Sequence, residues 1–289
     1  MEQKGPQQIW IVRHGQSTGN VARDAAEAEK QSLIAIAERD VDVPLSGLGA
    51  RQAQALGDWF ATLPLEQQPT FVLYSPYVRA QQTAQAMLER IDAGSLASVV
   101  ADERLREKEF GIFDRLTAHG IASKYPELHE QRQHVGKFYF RPPGGESWCD
   151  VILRLRSVLD TITREYRADR RPPGHRQLLR YLLERCDEQA ILSIDKAADV
   201  PNCGVTPYAF NHVLGRHGKL QLDLCNFVAP LEAAAPRHGP ARYAGRAEIL
   251  MLRGHAWTLS TSHIPYIMPP LRRSWRHKNN SISISRKNR

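Results

Sequence analysis

Arg13 and His14 stand side by side in IWIVRHGQSTGN (residues 9–20), at the end of an apolar run and just ahead of Gly15, Ser17, Thr18, Gly19 and Asn20. A planar guanidinium can grip two phosphate oxygens at once, which an ammonium cannot do. A glycine beside it lets main chain approach a ligand, and successive amides with Ser, Thr and Asn side chains offer an anion further donors. Gly15, Ser17 and Asn20 are therefore candidate substrate-binding residues around Arg13. A second arginine, Arg79 in YSPYVRAQQTA, follows another apolar run. It falls in the first turn of a predicted helix, where unpaired amides and the helix dipole favour an anion. Two arginines at two strand ends make a phosphate cradle.

The elements that must carry this cradle can be read from periodicity. QIWIVR, TFVLYS (70–75) and SVVAD (98–102) are short apolar runs of the kind buried strands use. GLGARQAQALGDWFATL (47–63), YVRAQQTAQAMLERI and the segment from Glu146 to Tyr166 show helical spacing, and Gly111 to Gly145 is loop-rich. Alternation of strand and helix predicts an α/β fold, a three-layer α/β/α sandwich around a mostly parallel sheet. In such sheets ligands sit at the carboxyl ends of strands, where Arg13 and His14 fall. The tripeptide Arg-His-Gly recurs at 216–218 and 237–239, but only the first copy follows a strand. The second, in HVLGRHGKLQLDL, reads as a hairpin turn between two alternating runs.

Composition narrows the class. The chain has 289 residues, 42% of them hydrophobic, enough for a real core. No leader-like start and no membrane-length apolar run occur, which predicts a cytoplasmic protein with no membrane partner. Four cysteines without CxxC spacing predict reduced thiols and no metal site. The net charge of +8 is unevenly placed: residues 236–289 hold eleven Lys or Arg against one acid, Glu248, a net +10 that leaves −2 on residues 1–235. The body is not basic, and the tail lacks the basic helix or interleaved aromatics of a nucleic-acid reader, so the sequence argues against such a partner. It carries no sign of an oligomeric state.

Four ordered motifs resemble the histidine phosphatase superfamily, the phosphoglycerate mutase-like family. They are VRHGQSTGN with the helix start PLSGLGARQAQALGDWF, LYSPYVRAQQTA, LREKEFG (105–111), and RPPGGESWCDVILRLRSVL with its Gly-Glu-Ser turn. The resemblance covers about residues 9–165. It implies that His14 is the nucleophile that forms a phosphohistidine, that Arg13 and Arg79 hold the phosphoryl oxygens, and that Glu107 is the general acid. Without the motif, Glu103, Glu107 and Glu109 would all read as a solvated charged loop. It further implies a metal-independent phosphomonoester hydrolase with no cofactor, acting on a small phosphorylated metabolite. The enzyme alternative is a phosphoglycerate mutase-type phosphotransferase, for which no added basic pair is evident in the lid at 111–145. Phe138, Tyr139, Phe140 and Arg141 read as a pocket entrance or, equally, as core packing.

The resemblance departs downstream. The family places a further apolar strand after the long helix, ending in a second histidine. Residues 168–177 here hold two prolines, three arginines and no apolar run, so they cannot form a central strand. One strand of the expected sheet is therefore missing on this reading. His175 is the only histidine there and stands in a Pro-Pro-Gly turn, a poor substitute for a strand-end ligand. Loss of that group allows a non-catalytic phosphate-binding pseudophosphatase as the reading from another class. The compositional break also suits a segment out of register with its coding frame. The predicted organisation is a domain over residues 7–228 and a basic, disordered tail over 229–289.

Overall fold

The computed structural model describes residues 7–92, 94, 96–165, 189, 200–211, 213, 219–222, 227–229 and 249–253. By its contacts the chain divides into Met1–Ala256 and Trp257–Arg289, and every described residue lies in the first unit. The strands are β1 (Gln8–Val12), β2 (Phe71–Tyr74), β3 (Ser98–Ala101), β4 (Val205–Asn211), β5 (Lys219–Leu222) and β6 (Ile249–Arg253). They form one six-stranded sheet in the order β3-β2-β6-β1-β4-β5. The helices are α1 (Thr18–Ala28), α2 (Gly47–Thr62), α3 (Val78–Leu88), α4 (Ala118–Lys124), α5 (Pro126–Val135) and α6 (Trp148–Glu165).

Side chains that alternate across β1 divide the core in two. Ile9 and Ile11 pack with Leu73, Tyr208 and the α6 face Val151, Leu155, Val158 and Ile162. That spacing of four, three and four residues gives a helix one apolar stripe. Trp10 and Val12 turn the other way, into a cluster with Leu56 and Phe60 of α2 and Ala80, Ala84 and Met87 of α3. Trp10 meets Phe60 edge to face at 5.7 Å. Full burial of each such side chain contributes about 1.5–3 kcal/mol, so β1 is anchored from both faces. Its carboxyl end is correspondingly fixed.

Three expectations require correction. The sheet is mixed rather than mostly parallel: among the described pairings only β2–β3 is parallel, and β1 is antiparallel to both β4 and β6. Strand–helix alternation predicts the first half well, but the later strands arrive through a hairpin and a long return. β4 and β5 pair antiparallel with Asn211 opposite Lys219, while the turn expected at 216–218 lies outside the described residues. Second, the domain boundary at 228 falls short. Residues Ile249–Arg253 of the presumed tail insert between β1 and β2, with Met251 wholly buried opposite Trp10 and Val72. A five-residue ILMLR run suits a strand covered on both faces, but it is masked by the basic sequence around it. Both edges of β1 are thus paired, with β6 on one side and β4 on the other. Third, the lid is not simply loop, since α4 and α5 lie within 111–145. Residues 168–177, His175 among them, lie outside the described residues. Among the described residues no helix is long and apolar enough to cross a membrane.

Candidate active site

The loop that leaves β1 is shaped by its own caps. Ser17 caps α1 by accepting from the Asn20 amide at 3.0 Å, and the Asn20 side chain accepts from the Ser17 amide at 3.0 Å. This reciprocal box satisfies two end amides of the helix. The Asn202 side chain donates to the His14 carbonyl at 3.1 Å and to Asn20 Oδ1 at 3.3 Å, and the Cys203 amide donates to the His14 carbonyl at 3.1 Å. Arg13 donates from Nη1 to the Val200 carbonyl. The loop before β4 therefore braces the loop after β1.

His14 is wholly buried, with Nδ1 2.5 Å from the Gly15 carbonyl. A carbonyl can only accept, so Nδ1 carries the proton and Nε2 the lone pair. The Gly15 amide donates to Thr83 Oγ1 at 3.1 Å, and that hydroxyl donates to the Arg79 carbonyl at 2.7 Å. A two-bond chain thus ties the loop of His14 to the first turn of α3.

Arg79 is 1% exposed and lines a deep cleft together with Ser17, Asn20, Asp40 and Glu107. Arg13 and His14 are not among the residues that line it. Of the three acids in 103–109 only Glu107 is buried, while Glu103 and Glu109 are exposed. Glu107 Oε2 lies 4.0 Å from Arg79 Nη2. The structure therefore brings Arg79 and Glu107 together on the cleft. Ser17 and Asn20 spend their side chains on the loop's shape while lining the cleft.

A brace that spacing alone would not reveal holds the Glu107 loop. Glu146, from the Gly-Glu-Ser turn, bonds Arg106 at 2.9 Å and Arg154 of α6 at 3.0 Å, and accepts from the Glu109 amide at 3.0 Å. Arg154 then donates to the carbonyls of Arg104 at 2.7 Å and Glu107 at 3.2 Å. Burial pushes the Glu146 carboxyl up, but the Arg154 hydrogen bond, the Glu109 amide and the charges of Arg154 and Arg106 outweigh it and hold the group below its ordinary value.

The far wall of the cleft is apolar, with Ile34, Ile36, Phe110, Phe113 and Phe140. Phe113 and Phe140 stack with centroids 6.0 Å apart. Of the expected entrance residues, Phe140 lines the cleft, Phe138 is in the core against α6, Tyr139 is exposed, and Arg141 pairs with Asp150. The lid adds cations, contrary to the sequence reading: Arg115, Arg132 and Lys137 line the cleft with Lys108. Burial pushes the Lys108 ammonium down to about 8, with Arg132 adding to the fall and Glu107 opposing it. Nothing in their spacing signals this convergence. The other described histidines, His119, His129 and His134, lie on α4 and α5 and do not line the cleft. Among the described residues no group of three His, Cys, Asp or Glu could hold a metal ion.

Comparison with known proteins agrees with this geometry. The chain is 29% identical over 229 residues to 2,3-bisphosphoglycerate-dependent phosphoglycerate mutase 2 of Gloeobacter violaceus, covering 78% of this chain and 95% of that one. It is 30% identical over 158 residues to the fructose-2,6-bisphosphatase TIGAR of Xenopus tropicalis, covering 54% of this chain and half of that protein. The solved structure of a mycobacterial glucosyl-3-phosphoglycerate phosphatase with inorganic phosphate has the same fold, with a TM-score of 0.55, 23% identity, and 77% and 98% of the two chains covered. Residues 9–216 match the family described as the histidine phosphatase superfamily (branch 1), and with the strand-end Arg13–His14 loop and the Arg79–Glu107 pair in place, this chain belongs to that superfamily.

Proposed function

We propose that this protein hydrolyses phosphomonoesters through a phosphohistidine on His14. The observation that carries the reading is the Nδ1 contact with the Gly15 carbonyl at 2.5 Å, which leaves the Nε2 electron pair as the nucleophile at a strand end. In the first step Nε2 attacks phosphorus in line. The bond from phosphorus to the ester oxygen breaks, and Glu107 gives its proton to the departing alkoxide. Arg13 and Arg79 stabilise the charge that gathers on the equatorial phosphoryl oxygens. In the second step the Glu107 carboxylate takes a proton from water, whose oxygen attacks phosphorus and releases the histidine and inorganic phosphate. Family membership and the Arg79–Glu107 approach support these roles.

Incubation with a labelled phosphodonor is expected to place an acid-labile, base-stable phosphoryl group on the protein, and His14→Ala is expected to lose it. Label retained in that variant overturns the assignment. Phosphate binding with no label in either protein points instead to a non-catalytic binder. Glu107→Gln is expected to slow phosphoenzyme formation from alkyl phosphates by about 100- to 10,000-fold while sparing that from aryl phosphates, which leave without a proton. A second reading is favoured by Lys108, Arg132 and Lys137 on the cleft wall. These cations suit a substrate that bears a further anionic group, as phosphoglycerate does, and with it mutase-type transfer. Exchange of label between substrate and product, without net phosphate release, separates it from hydrolysis.

A further inference from the structure

The buried arginine of α3 already holds an anion. Arg79 donates from Nη1 to the Asp40 carboxylate at 2.8 Å and to the Asp40 main-chain carbonyl at 2.6 Å, while Nη2 lies 3.4 Å from the second carboxylate oxygen. These terminal nitrogens are the fork with which a guanidinium grips two oxygens of a phosphoryl group. One carboxylate and one phosphoryl group cannot both take it.

The two partners differ in their freedom to move. Arg79 is enclosed: the Tyr77 ring lies 4.8 Å from its guanidinium carbon, and Glu107 is 4.0 Å from Nη2. Asp40 opens the three-residue turn Asp40–Asp42, with its side chain 37% exposed and no side-chain cap on the turn. The residue before it, Arg39, is 80% exposed. Releasing Asp40 therefore disturbs one surface turn, whereas moving Arg79 would open the core. We propose that Asp40 is a displaceable occupant of the phosphoryl slot on Arg79, one that weakens binding of every phosphoryl ligand there, free phosphate included. The inference rests on reading Arg79 as a phosphoryl ligand. Displacing Asp40 falls equally on every anion that uses the fork. Only a substrate with further contacts along the cleft can offset it, and inorganic phosphate has none. Asp40 thereby helps to clear the product once the rest of the substrate has gone.

Calorimetric titration of the full chain with inorganic phosphate tests this. Asp40→Asn keeps the shape and removes the charge, and is expected to tighten phosphate binding about tenfold. Asp42→Asn removes an acid from the same turn, but one that pairs with Arg39 at 2.7 Å, and is expected to change affinity less than about twofold. Unchanged or weaker binding in Asp40→Asn overturns the inference and makes Asp40 a support for Arg79. Equal tightening in Asp42→Asn overturns it as well, since general charge then suffices. Asp40→Ser, read in the same way, serves if the Asn variant does not fold. Arg79→Ala is expected to weaken phosphate binding at least tenfold. Wild-type affinity there would remove Arg79 as a ligand, a failure of the functional reading distinct from a failure of the Asp40 inference.

Discussion

The two loops that meet at the cleft are built from different materials. The loop after β1 is held mostly by main chain: the Arg13 amide donates to the Gly204 carbonyl at 3.2 Å, the Ser46 amide to the Gln16 carbonyl at 2.8 Å, and the Thr18 amide to the Pro44 carbonyl at 3.0 Å. The Glu107 loop is held by long charged side chains, Glu146 with Arg106 and Arg154. Main-chain bonds do not titrate and leave no room for an added atom. Ion pairs tolerate small shifts in position but answer to pH and salt. One loop is fixed by sterics and the other by charge.

The sharpest way to break this contrast is to add a methyl group to the first loop. A Cβ on Gly49 would lie 1.9 Å from the Gln16 carbonyl oxygen and 2.8 Å from the Gln16 amide nitrogen, so main chain itself must shift. Gly49→Ala is expected to destabilise the fold by about 3 kcal/mol or more, beyond ordinary overpacking, with turnover lost in proportion. Urea denaturation checks it. An unchanged midpoint would show that the loop is not sterically fixed.

Charge removal from the second loop should be milder and pH-dependent. Glu146→Gln leaves Arg154, only 11% exposed, without its carboxylate, and is expected to cost about 2 kcal/mol at pH 7 after allowance for solvent screening. The sign with pH follows from the depressed folded value. The wild-type increment is complete above the ordinary value of 4.5 and is lost as pH falls below it through the folded value. The stabilities of the two proteins should therefore converge as pH falls below 4.5, and a constant gap would argue against the ion pairs. The smallest effect belongs to Glu109→Gln. Glu109 is half-exposed, 3.8 Å from Arg106 and 3.4 Å from the Tyr77 hydroxyl. A change below about 0.5 kcal/mol and an unaltered kcat are expected, and a large loss of turnover would exchange its role with that of Glu107.

This division also explains what the sequence could and could not disclose. The first loop is legible as a strand end followed by small polar residues, but Ser17 and Asn20, read there as ligands for an anion, bond each other in the cap of α1. Arg79 and Glu107 were singled out through the motifs around them, and they lie 4.0 Å apart. Asp40, Lys108 and Arg132 were not, because a bond between residues 40 and 79, or a meeting of 108 with 132, depends on how far-apart segments pack and leaves no periodic trace. Glu146 was legible as a motif, but its work on the Glu107 loop was not. Strand β6 was hidden for the opposite reason, a good local signal in misleading company. Its five residues lie in a segment whose net charge argues for solvent.

The same strand sets a schedule for folding. β1 touches no early strand: its two neighbours are β4 and β6, and Gln8 pairs with Arg253. On the ribosome, at about 5–20 residues per second, roughly 10–50 s separate the emergence of those two residues. For most of that interval, until β4 emerges, an apolar strand waits with both hydrogen-bonding edges open, and one edge stays open until β6 follows, the condition under which nascent chains aggregate or recruit chaperones. Pairings of such long range also make for slow folding once the chain is released. The loop that carries His14 is therefore made well before the strands that flank β1, and its setting is complete only when β6 has arrived.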